Sequence, residues 1–208
     1  MKILIFGASG GTGRQLLIQG LEQGHSMTAF VRNPVALDIK NKNLSVVQGN
    51  ILDAKSVGDA IKMQDAVISV LGNKTKKAIQ QKDTTISQGL KNIIAGMKHH
   101  KTKRLLFVAS FGVNKEIFSL EKFFIRTFLK NIFADIPTQE KLIEESELDW
   151  TIVHPARLIH APKRGVYRSG EHLYIGLLSK ISRADVADFL LKNIASSKYI
   201  KKIVTISY

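Results

Sequence analysis

A chain of 208 residues is long enough for one domain with a full hydrophobic core, or for one domain with a small appendage. Its 44% apolar and 23% charged residues exclude a disordered chain, and no apolar stretch has the length of a membrane-spanning helix. The absence of cysteine excludes disulfides and thiolate chemistry, no leader pattern precedes Gly7, and a cytoplasmic setting is expected, although 31 basic against 17 acidic side chains leave an unusual net charge of +14.

The first apolar run, residues 2–6, reads as a strand. It meets Gly7-x-x-Gly10-x-x-Gly13, and then Leu16, Leu17 and Leu21 give helical spacing that stops at Gly24. Strand-length runs follow at 27–31 and 44–48. Asp53 is placed to cap a helix through Ile61, and a further strand is expected at 66–71. Thr84 to His99 carries Ile86, Leu90, Ile93, Ile94 and Met97, an amphipathic helix. Strands at 105–109, 151–154 and 203–207 alternate with helices over Lys141–Glu147 and Ala184–Ala195, the last with Ser182 or Arg183 near its start. This alternation predicts an α/β fold: a Rossmann-type, doubly wound parallel sheet with helices on both faces and a small C-terminal substrate lobe. No repeat or linker divides the chain. One NAD(P)-binding domain over 1–208 is expected, with 111–137 and 156–182 contributing a lid or substrate region at the carboxyl edge.

Two stretches fall outside this plan. Between Gly72 and Arg104 stand nine basic residues and a single acid, Asp83. Such a surface can attract phosphates or anionic partners, but a solvated basic face is the simpler reading. Without interleaved aromatics or a recognition motif, nucleic acid is not an expected partner. Residues 111–137 hold six of the ten phenylalanines, and "IFSLEKFFIRTFLKNIF" has near-helical spacing. This segment is a core-packed helix, a membrane-surface helix, a lid, or a docking helix for a protein partner through 114–137.

The glycine spacing carries the chemistry. After a strand and before a helix, Gly7 permits the tight turn, Gly10 lets the backbone approach a pyrophosphate, and Gly13 allows close helix–strand packing. The N–H groups at the helix start face the phosphates, and Ser9 and Thr12 add hydroxyls. Arg14-Gln15 after Gly13 excludes a P-loop. At the end of the second strand, "AFVRNP" offers Arg32 and no acid, so a 2′-phosphate has a partner and NADP(H) is the expected cofactor.

The stretches "IFGASGGTGRQLL", "TAFVRNP", "VVQGNILD", "DAVISVLG", "RLLFVAS", "LDWTIVHPARL" and "ISRADVADFLL" stand in the order and spacing of the atypical short-chain dehydrogenase/reductases. The chain resembles their NmrA-like, flavin reductase/biliverdin-IXβ reductase branch over nearly its whole length, with 114–137 the poorest fit. The resemblance implies that Gly7, Ser9, Gly10, Gly11, Thr12, Gly13 and Arg32 hold the cofactor's phosphates and that Asn50 and Ile51 flank the adenine. It implies that Leu71 and Gly72 lie near the ribose or nicotinamide, and that Ser110 and Pro155 border the nicotinamide. Arg157 would align with a histidine over the substrate pocket. Asn50 stands where the family often has Asp, and Ala36 where a second basic residue is frequent, with Lys40 nearby.

Most short-chain dehydrogenases use Tyr-x-x-x-Lys. Glu171, Leu178 and Ile203 stand four residues after Tyr167, Tyr174 and Tyr199, and Tyr208 is terminal, so the dyad is absent. Lys141 can occupy the lysine's place, yet Pro137 precedes it by four. The expected substrate is therefore a small planar acceptor, a free flavin or quinone, which takes a hydride at a conjugated centre without a positioned acid. Ser110 and Arg157 are the catalytic candidates. The alternative is a non-catalytic NADP(H) sensor acting through a protein partner. A monomer or homodimer is expected. The histidines form no metal set: His99-His100 are adjacent, and His154 and His160 have no carboxylate in register.

Overall fold

The computed structural model describes residues 1–72, 83–109, 134–176 and 178–208. The strands and helices follow in chain order: β1 Lys2–Phe6, α1 Gly11–Glu22, β2 Ser26–Val31, β3 Leu44–Gln48, α2 Ala54–Ile61, β4 Ala66–Ser69, α3 Thr85–His99, β5 Arg104–Val108, α4 Ile136–Glu144, β6 Asp149–Pro155, β7 Arg157–Ile159, β8 Arg168–Gly170, β9 Lys180–Ser182, α5 Arg183–Asn193 and β10 Lys202–Ser207. Eight strands form one sheet in the order β3-β2-β1-β4-β5-β6-β10-β8. All its pairings are parallel except β10 with β8, and β7 pairs with β9 in a separate parallel ribbon. The expected doubly wound sheet is present.

Side chains leave the strands alternately to two cores, because successive residues of a strand point to opposite faces. Ile3 and Ile5 join Leu16, Leu17, Val186 and Leu190 on the face covered by α1 and α5. Leu4 and Phe6 join Val57, Leu90, Ile93 and Ile143 on the face covered by α2, α3 and α4. Burial on both faces explains why these strands read as continuous apolar runs. The run at 44–48 differs: β3 is the sheet's edge, and Ser45, Val46 and Gln48 are exposed.

Helix starts follow their caps. The Asp53 carboxylate accepts from the Lys55 N–H at 3.0 Å, and the Ser182 hydroxyl accepts from the Asp185 N–H at 2.9 Å. Helix α1 has no side-chain cap at Gly10. Helix α4 begins at Ile136, five residues before the Lys141 start read from spacing, because Pro137 suits a first turn and the buried Asp135 anchors it. The Asp135 carboxylate accepts from the Ser87 N–H at 3.1 Å and from the Gln139 amide at 2.8 Å, tying α4 to α3.

Arg104 corrects the reading of the basic stretch. It is 8% exposed, and its guanidinium donates to the carbonyls of Ile194, Asn193 and Asp149 and to the Thr151 hydroxyl at 2.8–3.1 Å. Burial pulls its pKa down to about 10, with Asp149 opposing. It clasps the carboxyl end of α5 rather than joining a basic face, whereas Lys91, Lys98, Lys101 and Lys103 are exposed.

Candidate functional site

The sheet order reverses at β1, which lies between β2 and β4. In an open α/β sheet the crevice at the carboxyl ends of two such strands is where ligands bind. Here it is closed at its base by backbone: the Val70 N–H donates to the Phe6 carbonyl at 2.9 Å. Gly7 follows with φ +86°, and a Cβ there would stand 2.8 Å from the Val70 carbonyl oxygen. Only glycine takes that conformation in that space. The Gly10 N–H donates back to the Gly7 carbonyl at 3.0 Å, which turns the chain into α1. Gly13 is tighter still, since a Cβ would lie 2.2 Å from the Gly7 oxygen and 2.6 Å from the Ala8 Cα. The first turn of α1 is therefore pressed against the end of β1, and its uncapped amino end opens at the crevice. Ser9 is exposed and Thr12 is 7% exposed.

Arg32 is the first residue beyond β2 and is exposed, and its carbonyl accepts from the Gln48 side chain at 3.3 Å. Next to it the chain is tied to α1: the Arg14 guanidinium pairs with Asp38 at 2.6 Å and donates to the Ala36 carbonyl. That hydrogen bond holds the Asp38 carboxyl below the usual carboxylate range. Asn50 is exposed, and its side chain accepts from the Leu52 N–H at 3.0 Å, an Asx turn that shapes the loop after β3. Ile51 is 9% exposed and packs on Gly89, so its side chain is spent on the core and Asn50 is the open member of the pair. Leu71 is half-buried and Gly72 exposed, just beyond β4.

In the second half of the site, Pro155 ends β6 and is buried, and Arg157 opens β7 exposed to solvent. Ser110 lies outside the described residues, as does the phenylalanine-rich stretch through 133. Lys141 does not reach the site. Its side chain is 73% exposed and meets Glu145 at 3.8 Å, one turn along the same helix. The tyrosine hydroxyls are engaged away from α4: Tyr167 donates to Asp188 at 2.8 Å and Tyr208 to Asp185 at 2.5 Å, while Tyr199 meets Ser169 at 3.4 Å. Burial first, and then the Asp188 carboxylate, push the Tyr167 pKa up. Among the described residues, Lys141 forms no proton-donating pair with Tyr167, Tyr199 or Tyr208.

One histidine differs from its sequence reading. His154 has a carboxylate partner: its Nε2 lies 2.7 Å from Glu140 of α4, with the ring 7% exposed. The partner arrives from fourteen residues upstream, across the β5–β6 connection, where spacing cannot register it. The adjacent His99 and His100 rings meet edge-on, 4.7 Å apart. Among the described residues no group of His, Asp and Glu is arranged to hold a metal ion, and no helix is long and apolar enough to cross a membrane.

Residues 160–167 lie in the 156–182 stretch read as a lid or substrate region, and what sequence reasoning missed is the pair of carboxylates that holds them as a strap. The Asp185 carboxylate accepts from the N–H groups of Arg164 and Gly165 at 2.8–3.1 Å and from the hydroxyls of Ser182 and Tyr208 at 2.8 and 2.5 Å. Burial pushes its pKa up, but these four donors outweigh it and the net shift is down. Asp188 is shifted down against burial by Lys192, Tyr167 and Lys163. Together they fold the strap over the start of α5, beside the glycine turn.

A family model described as NAD(P)H-binding matches residues 7–197. Among curated proteins, the chain is 24% identical to the photosystem II assembly factor Ycf39 of Synechocystis, over 97% of this chain and 61% of that protein, so it spans less than two thirds of that relative. It is 28% identical to the uncharacterized protein YwnB of Bacillus subtilis, over 92% of this chain and 89% of that one. Among solved structures, the anaerobillin reductase ChuY of Escherichia coli O157:H7 superposes with a TM-score of 0.78 at 20% identity, covering 99% of this chain and 96% of that chain, a likeness of fold. The glycine cradle at the β1–β4 crevice has the form a dinucleotide pyrophosphate needs, and the chain belongs to the NAD(P)H-binding family.

Proposed function

We propose that the protein is an NADPH-dependent oxidoreductase that reduces a free flavin, a quinone or a similar planar acceptor by direct hydride transfer. The observation that carries this reading is a built glycine cradle at the end of β1, together with an α4 whose Lys141 points to solvent. Among the described residues, the cofactor site thus stands without the tyrosine–lysine pair that alcohol–ketone chemistry needs. Gly7, Ser9, Gly10, Gly11, Thr12 and Gly13 hold the pyrophosphate, and Arg32 pairs with the 2′-phosphate. Asn50 and Ile51 flank the adenine, while Leu71, Gly72, Ser110 and Pro155 border the ribose and nicotinamide.

Bound NADPH supplies the hydride, two electrons with one proton. The acceptor gains them at a conjugated centre and takes its second proton from water. Arg157 stabilises the negative charge that develops on the acceptor, and the Ser110 hydroxyl orients it. Segment 156–182 contributes a lid or substrate region on the acceptor side. An anaerobillin reductase among the structural neighbours supports a reductase reading by analogy of fold.

The test is NADPH absorbance over time with excess FMN, then with a quinone, and with NADH as control. Turnover that prefers NADPH supports the reading. Tight NADPH binding without turnover on any acceptor would sink it and leave a binding protein acting through a partner.

A further inference from the structure

A cleft of about 330 Å³ opens beside the glycine turn, lined by Gly11, Gln15, His160, Lys163 and Arg183 among others. Its lining includes three basic side chains and no acid. The amino ends of two helices meet here, α1 at Gly11 and α5 at Arg183. Lys163 is already held by Asp188 at 3.2 Å. Arg183 is not so held: its Nη1 is buried and makes no hydrogen bond.

The stem of Arg183 lies across the glycine turn. A Cβ on Gly11 would stand 2.6 Å from its Cδ and 2.9 Å from its Nε. The position is imposed from below. Ser182 caps α5 and Asp185 draws the 164–165 backbone down, which leaves Arg183 between the strap and α1. A buried donor on a permanent cation with no acceptor is costly, and a phosphate oxygen is the acceptor that a guanidinium fork fits best. The uncapped amino end of α1 adds N–H donors with the same preference.

We propose that Arg183 is a phosphate ligand, and that the cleft between the strap and the glycine turn is a phosphate-binding site completed by this residue. The phosphate is the cofactor's own pyrophosphate or that of a second ligand such as FMN. This rests on the dinucleotide reading only for the first source.

The experiment measures dissociation constants of the full-length protein and Arg183→Gln for NADPH, ADP, adenosine 2′-monophosphate, FMN and inorganic pyrophosphate. The pyrophosphate source predicts that Arg183→Gln weakens NADPH and ADP by about tenfold or more and leaves adenosine 2′-monophosphate unchanged. Arg32→Ala instead weakens NADPH and adenosine 2′-monophosphate and leaves ADP unchanged. The second source predicts lost FMN affinity with NADPH and ADP unchanged. Unchanged binding of every phosphate ligand overturns the proposal. If the wild-type protein binds no NADPH, the cofactor reading fails, and inorganic pyrophosphate and FMN still decide Arg183. Arg183→Lys keeps the stem and charge but not the fork. It covers the case in which Arg183→Gln fails to fold, with an expected loss of roughly threefold or more at an unchanged salt dependence.

Discussion

The glycine turn and the strap over α5 build neighbouring walls of one site by opposite means. Residues 7–13 are shaped by backbone alone: a positive φ, a missing Cβ, and a Gly10-to-Gly7 hydrogen bond. The strap is shaped by side chains that reach across 20 or more residues, with Asp185 and Asp188 collecting donors from Lys163, Arg164, Gly165, Tyr167 and Tyr208. A backbone solution is rigid and intolerant of substitution. A side-chain solution is titratable and removable. The site therefore has one wall that fails sterically and another that fails electrostatically.

The largest effect is expected at Gly13. Its Cβ would collide with backbone atoms, which have no room to give, so Gly13→Ala should cost about 3 kcal/mol or more and abolish NADPH binding. Thermal melts and NADPH titration check it, and a variant that binds normally would erase the distinction between the walls.

Asp185→Ala should follow, at roughly 2–4 kcal/mol, because a fully buried carboxylate is removed and four donors, the buried Ser182 hydroxyl among them, lose their acceptor. The pH dependence carries the same signature. Both carboxyls have folded pKa values below their unfolded ones, so their contribution is present above the unfolded value near 3.8 and is lost as pH falls through the folded values. Urea midpoints between pH 6 and pH 2 should fall in that acid range, and less steeply in Asp185→Asn. An identical slope in that variant would place the acid sensitivity elsewhere.

Arg32→Asp removes one charge-assisted contact without touching either wall. NADPH affinity should drop about 10- to 100-fold with NADH little changed, read as the ratio of the two dissociation constants. Lys141→Ala should do least. Stability should stay within about 0.5 kcal/mol, since the Glu145 contact is exposed, and turnover should be unaltered. A marked loss of turnover would restore a catalytic lysine to α4.

The strands that lie inside the sheet were readable as apolar runs because both of their faces are covered, whereas nothing in the run at 44–48 marked it as the sheet's exposed edge. The start of α4 was hidden by Asp135 and Pro137, which look like loop residues until Ser87 is alongside. His154 and Arg104 are further cases. One is an imidazole without a visible carboxylate, the other a surface charge, until folding brings Glu140 to the first and the end of α5 to the second.

By itself, then, the sequence determined whatever depends on neighbours along the chain: strand–turn–helix at residues 2–22, the glycine positions, the caps at Asp53 and Ser182, the missing tyrosine–lysine pair, and Arg32 at the end of β2. Only the tertiary structure decided which charges are free. Arg104 and Lys163 find acceptors and Arg183 Nη1 does not, and that outcome depends on which backbone and carboxylate oxygens arrive within about 3 Å of each cation, a distance no spacing along the chain encodes.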